Sequence, residues 1–264
     1  MTSQLRPAPE ARVSAAIAAA GELGLFFGFG GPVAGAAGWR PATALYAPGP
    51  GPGPLDDLVE SARRSLGGCE RRVAASLLFQ GYAARLLSPQ LGCLATHGCV
   101  PALPGEDLRW RQPGTQLIEL GLRAPGRGGI EGPAGALLGV IVRQSFDEHL
   151  GPLSAALRAR VRLPASLLRD NAASALVGAL RLLDQVLKHP PEARLQPGRR
   201  LQPGWRALAS IALADPRVAG AGVITGGEPA FVRRSCCLYY RVDGGGTCGD
   251  CPLPTASVRA ALGG

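Results

Sequence analysis

The sequence predicts an α+β protein with a mostly helical body, a small antiparallel sheet and an irregular C-terminal segment rich in cysteine. Three observations predict this fold class. Several stretches place apolar residues at helical spacing, residues 115–122 alternate as a strand does, and four cysteines fall within sixteen residues near the end of the 264-residue chain. We expect a mainly helical domain at 1–225 and a C-terminal cysteine segment at 226–264.

The N-terminal half is predicted to be helical. Residues 1–22 are rich in alanine and predict a first helix, whereas the alternating Pro and Gly of Pro48–Pro54 predict a loop. Residues 55–66 and 69–87 have the apolar spacing of two further helices. Pro89 is predicted to end the second of these, because proline lacks a backbone donor and clashes with the preceding turn.

The C-terminal half is predicted to begin with a hairpin. The strand at 115–122 has Leu137–Arg143 as its predicted partner, across a loop at 124–135. Pro164 favours a helix start, since proline suits the first helical turn. Apolar spacing predicts the helices that follow, at 147–162, 164–188 and 205–214.

The composition limits the partners and the location. The net charge is +9, and Lys188 is the single lysine among 28 basic residues, so arginine dominates. This charge reflects either nucleotide bias or attraction to an anionic partner. Nucleic acid is not expected, because aromatic residues make up only 5% and no dense basic tract is present. Without a secretory signal or a long apolar span, we expect a cytoplasmic protein, and peripheral attachment to the cytoplasmic side of the membrane stays open.

The C-terminal cysteines are candidate metal ligands. Cys236, Cys237, Cys248 and Cys251 offer four thiolates, which suit an iron–sulfur cluster or one tetrahedral zinc ion. Adjacent side chains on a strand diverge, and a two-iron cluster is wide enough to accept such a pair. The glycines at 244–246 let the two halves fold together. From the residues alone, a cluster, a zinc ion and disulfides all remain open.

Three arginines flank these cysteines. Arg233, Arg234 and Arg241 would stabilise the reduced, more negative form of a cluster and so raise its reduction potential. They are candidates for tuning the cluster or contacting a substrate.

The cysteine segment resembles the C-terminal signature of the FhuF-type ferric siderophore reductases. That signature is two adjacent cysteines, ten residues, and a Cys-x-x-Cys followed by Pro, which this chain reproduces from Cys236 to Pro252. Leu163–Leu180, which contains Asn-Ala-Ala, is similar more loosely. The resemblance implies a [2Fe–2S] cluster on the four cysteines, and one-electron reduction of a ferric siderophore that releases Fe(II). It implies no catalytic side chain beyond the cluster.

The resemblance also implies a reduced electron donor of the ferredoxin, flavodoxin or flavin reductase type. Two alternatives remain. One is an iron–sulfur electron-transfer protein for another acceptor, and the other is a zinc-stabilised binding module without catalysis.

The remaining cysteines and histidines are given structural interpretations. Cys93, His97 and Cys99 have irregular spacing for a metal site, so Cys93 and Cys99 are interpreted as buried free cysteines, as is Cys69. His149 is interpreted as a surface or capping residue.

Overall fold

A long helix, α3 (Arg71–His97), lies at the centre of the fold. The computed structural model describes residues 4–30, 37–47, 51–114, 118–189 and 201–253. Four helices pack against α3, namely α1 (Glu10–Glu22), α2 (Pro54–Ser65), α4 (Ala134–Ser145) and α6 (Ala165–Lys188). A π-helical turn at Phe146–Leu150 connects α4 to α5 (Gly151–Arg160), and α7 is Trp205–Leu213.

Short antiparallel strands lie around this helical body. One sheet has the order β1 (Arg6–Pro7), β6 (Gly129–Glu131), β3 (Cys99–Pro101), and a second has the order β2 (Arg40–Pro41), β4 (Leu108–Arg111), β5 (Glu119–Leu122). The third pairs β7 (Gly222–Ile224) with β8 (Phe231–Arg233). The predicted α+β class is therefore confirmed, with three small sheets in the described residues instead of one.

The predicted end of a helix at Pro89 is wrong, because α3 continues to His97. Pro89 removes the helical donor for the Arg85 carbonyl, and the side-chain Nε2 of Gln90 adds a hydrogen bond to the neighbouring Leu86 carbonyl at 2.7 Å. Residues 86–94 are buried between neighbouring helices, so tertiary packing outweighs the local cost. The helix ends instead at Gly98, whose φ of 60° is typical of a left-handed cap.

The predicted strand at Leu137–Arg143 is also wrong, because this stretch forms most of α4. Leu137, Leu138, Ile141 and Val142 are all fully buried, and such a continuous apolar run suits a buried helix as well as a strand. The partner of β5 is β4, which pairs Trp110 with Leu120. Part of the predicted strand, residues 115–117, lies outside the described residues.

The first predicted helix is shorter than expected. Helix α1 begins at Glu10, after Pro9, and Arg6–Pro7 form strand β1. The predicted helices at 55–66, 164–188 and 205–214 correspond closely to α2, α6 and α7. The one at 147–162 corresponds to α5, preceded by the π-helical turn.

His149 is a buried residue, which contradicts its interpretation as a surface or capping group. Its Nε2 lies 2.9 Å from the Leu103 carbonyl and its Nδ1 lies 3.1 Å from the Tyr46 hydroxyl. Since a carbonyl can only accept, Nε2 carries the proton and Nδ1 accepts from Tyr46. Burial lowers the pKa of His149 to about 4, so the imidazole is neutral at pH 7.

Among the described residues, no helix is both long and apolar enough to cross a membrane.

Candidate metal centre

The four C-terminal cysteines lie in an irregular segment that follows β8. Strand β8 is buried, and the backbone N–H of its last residue, Arg233, donates to the Asp250 carbonyl at 3.2 Å. This bond brings the Cys-x-x-Cys turn back beside the adjacent pair. The Sγ atoms of Cys237 and Cys248 are 3.6 Å apart as a result. Cys236 lies close enough to Cys251 and Cys248 for their charges to interact.

Each of these sulfurs has a backbone amide directed at it from two residues further along the chain. The Leu238 amide lies 3.3 Å from the Sγ of Cys236, and the Leu253 amide lies 3.5 Å from the Sγ of Cys251. The amides of Tyr239 and Asp250 donate to Cys237 and Cys248 in the same way. Leu238 adopts a φ of 72°, a left-handed conformation that turns the chain after the pair. Amide donors favour thiolates over thiols, and thiolates are the form that binds metal.

The Cys237–Cys248 contact alters the acidity of both thiols. A hydrogen bond from Cys248, assisted by the charge of Arg233, lowers the pKa of Cys237 to about 6. The same hydrogen bond raises the pKa of Cys248, because the Cys248 thiol is the donor and keeps its proton. Burial raises the pKa of Cys236, which the Leu238 amide partly opposes. At least one sulfur of the set is therefore ready to bind a metal near neutral pH.

Within the described parts of the chain, no three side chains of His, Cys, Asp or Glu converge on a single point that could hold a metal ion. The four thiolates of the predicted [2Fe–2S] cluster need not meet at one point, because they are divided between two irons.

Arg233 is a fully buried cation at this site, with only 1% of the residue exposed. Its Nη2 lies 3.3 Å from the Sγ of Cys248, and its Nη1 lies 2.7 Å from the Asn171 Oδ1 and 3.4 Å from the Gln80 Oε1. Its Nε is buried without an acceptor in the described residues. The two amide oxygens are neutral, and the Sγ of Cys248 is the sulfur that the guanidinium contacts among the described residues.

This arrangement fits a negatively charged cluster. A buried guanidinium is costly unless a counter-charge and hydrogen bonds compensate it. An oxidised [2Fe–2S] centre with four thiolates carries a net charge of about −2 and would supply that counter-charge. The four sulfurs, their amide donors and the buried Arg233 together match the chemistry of such a group.

Polar residues of α3 and α6 connect this site to the helical body. Asn171 donates from Nδ2 to the Ser76 carbonyl at 3.0 Å and to its Oγ at 2.9 Å. The Ser76 hydroxyl donates in turn to the Cys237 carbonyl at 2.8 Å. On the other side, the Ser174 hydroxyl donates to the Asp250 Oδ2 at 2.6 Å. Both halves of the cysteine segment are thus attached to the same two helices.

These supporting residues were not identified from the sequence. The signal available was the placement of polar residues on otherwise apolar helices, with Ser76 and Gln80 one turn apart on α3, and Asn171 and Ser174 one turn apart on α6. Each pair lies on a single helix face.

The other two flanking arginines differ from Arg233. Arg234 is exposed, and its backbone N–H donates to the Ala221 carbonyl at 2.8 Å. Arg241 forms an ion pair with Glu70 at the start of α3 and stacks on Tyr240, with its guanidinium carbon 5.8 Å from the ring centroid. Of the three, only Arg233 contacts a cysteine sulfur in the described structure.

The remaining cysteines lie apart from this site. Cys93 and Cys99 are fully buried free thiols packed against α1, and burial raises the pKa of each. Cys69 is a partly buried free thiol. The predicted burial is confirmed for Cys93 and Cys99, whereas Cys69 is only partly buried.

The cysteine segment also matches a known family. Residues 233–253 match the family model described as the FhuF 2Fe-2S C-terminal domain. The match begins at Arg233 and includes all four cysteines, and the cofactor of the matched domain is a [2Fe–2S] cluster. No curated protein matches the chain.

Proposed function

We propose that Cys236, Cys237, Cys248 and Cys251 hold the [2Fe–2S] cluster and that the protein reduces the ferric iron of a siderophore by one electron. The observation that carries this proposal is the match of residues 233–253 to the FhuF 2Fe-2S domain. The contact between buried Arg233 and the Sγ of Cys248 supports the ligand assignment.

The proposed reaction transfers a single electron and breaks no covalent bond of the siderophore. A bound [2Fe–2S] cluster supplies one electron at a time. The siderophore iron takes up that electron and changes from Fe(III) to Fe(II), which the hard oxygen donors of hydroxamates and catecholates bind less tightly. The Fe(II) then leaves for softer ligands. A reduced donor of the ferredoxin, flavodoxin or flavin reductase type restores the starting state.

The residues around the site have separate roles in this proposal. The four cysteines bind the cluster, and Arg233 stabilises its more negative, reduced form. Cys236 and Cys248 are only partly buried, so electrons have a short path between the site and a molecule at the surface. Arg234 is exposed beside this path and is accessible to an anionic chelate.

The decisive experiment is stopped-flow mixing of the dithionite-reduced protein with several ferric siderophores in the presence of an Fe(II) trap. We expect oxidation of the protein and formation of the Fe(II)–trap complex at the same rate. Iron-free siderophores are the matched control and should leave the protein reduced. A protein that stays reduced with every ferric siderophore, yet is quickly oxidised by an unrelated protein acceptor, would instead be an electron carrier.

A further inference from the structure

An apolar cavity of about 200 Å³ lies against α3. It is lined mainly by Leu66 after α2 and by Leu77, Leu78 and Ala84 of α3. Of these, Leu78 lies on the opposite face of α3 from Ser76, which faces the cysteine segment as Gln80 does. A cavity of about 150 Å³ with a similar apolar lining can stay dry and take up benzene. This cavity therefore has the size and chemistry to hold one aromatic ring.

Gly81 is an unexplained glycine in the wall of this cavity. It lies within helix α3, where glycine costs about 1 kcal/mol relative to alanine. A Cβ added at Gly81 would meet no atom within 4 Å, and its φ is not in the left-handed region. Neither close packing nor backbone conformation requires glycine here, whereas the space beside it would be needed by a ligand.

Arg85 brings a positive charge to the same cavity. Its guanidinium lies 4.9 Å from the centroid of the Phe26 ring, and its Nη1 donates to the Leu25 carbonyl at 3.0 Å. Its Nε is buried without an acceptor, and no carboxylate forms an ion pair with it in the described residues. The Arg85 side chain is only partly buried and lines the cavity, so a carboxylate bound there would pair with its positive charge.

Phe26 also places the cavity at the surface. It lines the cavity and is 44% exposed, and the neighbouring Leu25 is 86% exposed. Large apolar side chains at the rim of a concave apolar site are typical of ligand entry.

We propose that this cavity binds a small aromatic carboxylate, with the ring between Leu77 and Leu78 and the carboxylate at Arg85. The proposal does not depend on the reductase activity, and it adds a second site whose lining residues differ from those that contact the cysteine segment. Charge at Arg85 selects the anion, and the apolar walls select the ring.

The test uses ¹⁹F NMR titrations of the full-length, oxidised protein with 4-fluorobenzoate and with its neutral isostere 4-fluorobenzamide. We expect the benzoate to bind about tenfold more tightly than the amide, because a hydrogen bond to a charged group is stronger than one between neutral groups. A wild-type protein that binds neither probe, or both equally, would overturn the proposal.

Two variants locate the site. Gly81→Phe should fill the cavity and weaken benzoate binding at least tenfold, whereas Gly178→Phe should not change it. Gly178 is the matched control, because it is a glycine of helix α6 with equally open space around an added Cβ. Arg85→Gln should remove the preference for benzoate over the amide. Circular dichroism must show that each variant is folded. Benzoate binding by Gly81→Phe at wild-type strength, or an unchanged preference in Arg85→Gln, would refute the site.

Discussion

At the scale of single residues, burial separates three arginines that are indistinguishable in the sequence. Arg233 and Arg234 are neighbours, yet one is buried against the Sγ of Cys248 and the other is exposed. Arg233 is the last residue of β8, in which all three residues are buried, whereas Arg234 follows the strand and is exposed. The sequence could place positive charge near the cysteines, but it could not show which guanidinium contacts a sulfur.

Replacing Arg233 by Gln should lower the reduction potential of the cluster by several tens of millivolts. The loss of a buried positive charge destabilises the more negative reduced form, and a tenfold change in this equilibrium corresponds to roughly 59 mV for one electron. Arg234→Gln removes the same charge at an exposed position and should shift the potential much less, because water screens it. Redox titration followed by EPR measures both, and equal shifts in the two variants would contradict the role given to Arg233.

Replacing any one of Cys236, Cys237, Cys248 or Cys251 by Ser should destroy or strongly perturb the cluster. Protein purified without oxygen should be reddish brown and give an S = 1/2 EPR signal after dithionite reduction. Cys93→Ser is the matched control, because Cys93 is a fully buried thiol that packs against α1. Loss of the cluster in that variant, with the fold intact, would mean that the ligand assignment is wrong.

Burial of His149 should make the fold less stable in mild acid. The folded pKa is lowered to about 4 from an ordinary value near 6.5, so the unfolded chain binds the proton more readily between these values. Stability is therefore full above about pH 6.5 and is lost as the pH falls towards 4. The contribution between pH 7 and pH 5 is about 2 kcal/mol.

This effect is measured by comparing the thermal unfolding midpoint at pH 7 and pH 5. His189→Gln, at an exposed histidine of the same chain, should keep the full decrease. In addition, ¹⁵N NMR of the imidazole should show His149 neutral, with the proton on Nε2, at pH 5. A protonated His149 at that pH would exclude the buried, neutral state.

At the scale of secondary structure, the sequence predicted helices better than their ends and partners. Helices α2, α6 and α7 followed from apolar spacing, and Pro164 indicated the start of α6. Pro89 and Leu137–Arg143 were misassigned because local rules do not include tertiary burial. In the first case buried packing preserves the helix, and in the second the stretch from Leu137 to Val142 contains no polar side chain that would reveal a helical period.

The cysteine segment shows the same division between local and long-range information. Its cysteine pattern is local and was visible in the sequence, whereas its attachment to α3 and α6 depends on residues far away along the chain. Ser76 and Cys237 are 161 positions apart, so no local pattern could pair them.

Gln80→Glu tests how α3 influences the site. Gln80 accepts from Arg233, and a glutamate there would keep that acceptor while adding a negative charge beside the guanidinium. We expect a lower reduction potential with unchanged iron content, since part of the positive charge near Cys248 is neutralised. Gln185→Glu adds the same charge at an exposed position of α6 and should leave the potential nearly unchanged. A Gln80→Glu variant with the wild-type potential would show that α3 does not influence the reduction potential through Gln80.

At the scale of the whole molecule, the charge of +9 is concentrated in arginine. Many of these arginines are used within the fold, as in the pairs of Arg160 with Asp56 and of Arg217 with Asp147. The charge that acts over longer distances is the excess of basic over acidic residues. Such an excess raises the encounter rate with anions and lowers it with cations.

Reduction of ferric siderophores should therefore depend on their charge. At low salt, the second-order rate with the dithionite-reduced protein should be higher for an anionic ferric siderophore than for a neutral one with a similar potential. Raising the ionic strength from about 0.01 to 0.15 M shortens the screening length from about 30 to about 8 Å and should slow the anionic reaction while leaving the neutral one unchanged.

Arg234→Gln should lower the anionic rate and its salt dependence, because that side chain is exposed next to the cysteine segment. The control is Arg158→Gln, which removes an equally exposed charge from α5 and should have a smaller effect. Equal salt dependence for both siderophores would show that the net charge does not guide this substrate. A rate that falls equally in both variants would show that the charge acts as a whole, with no local contact at Arg234.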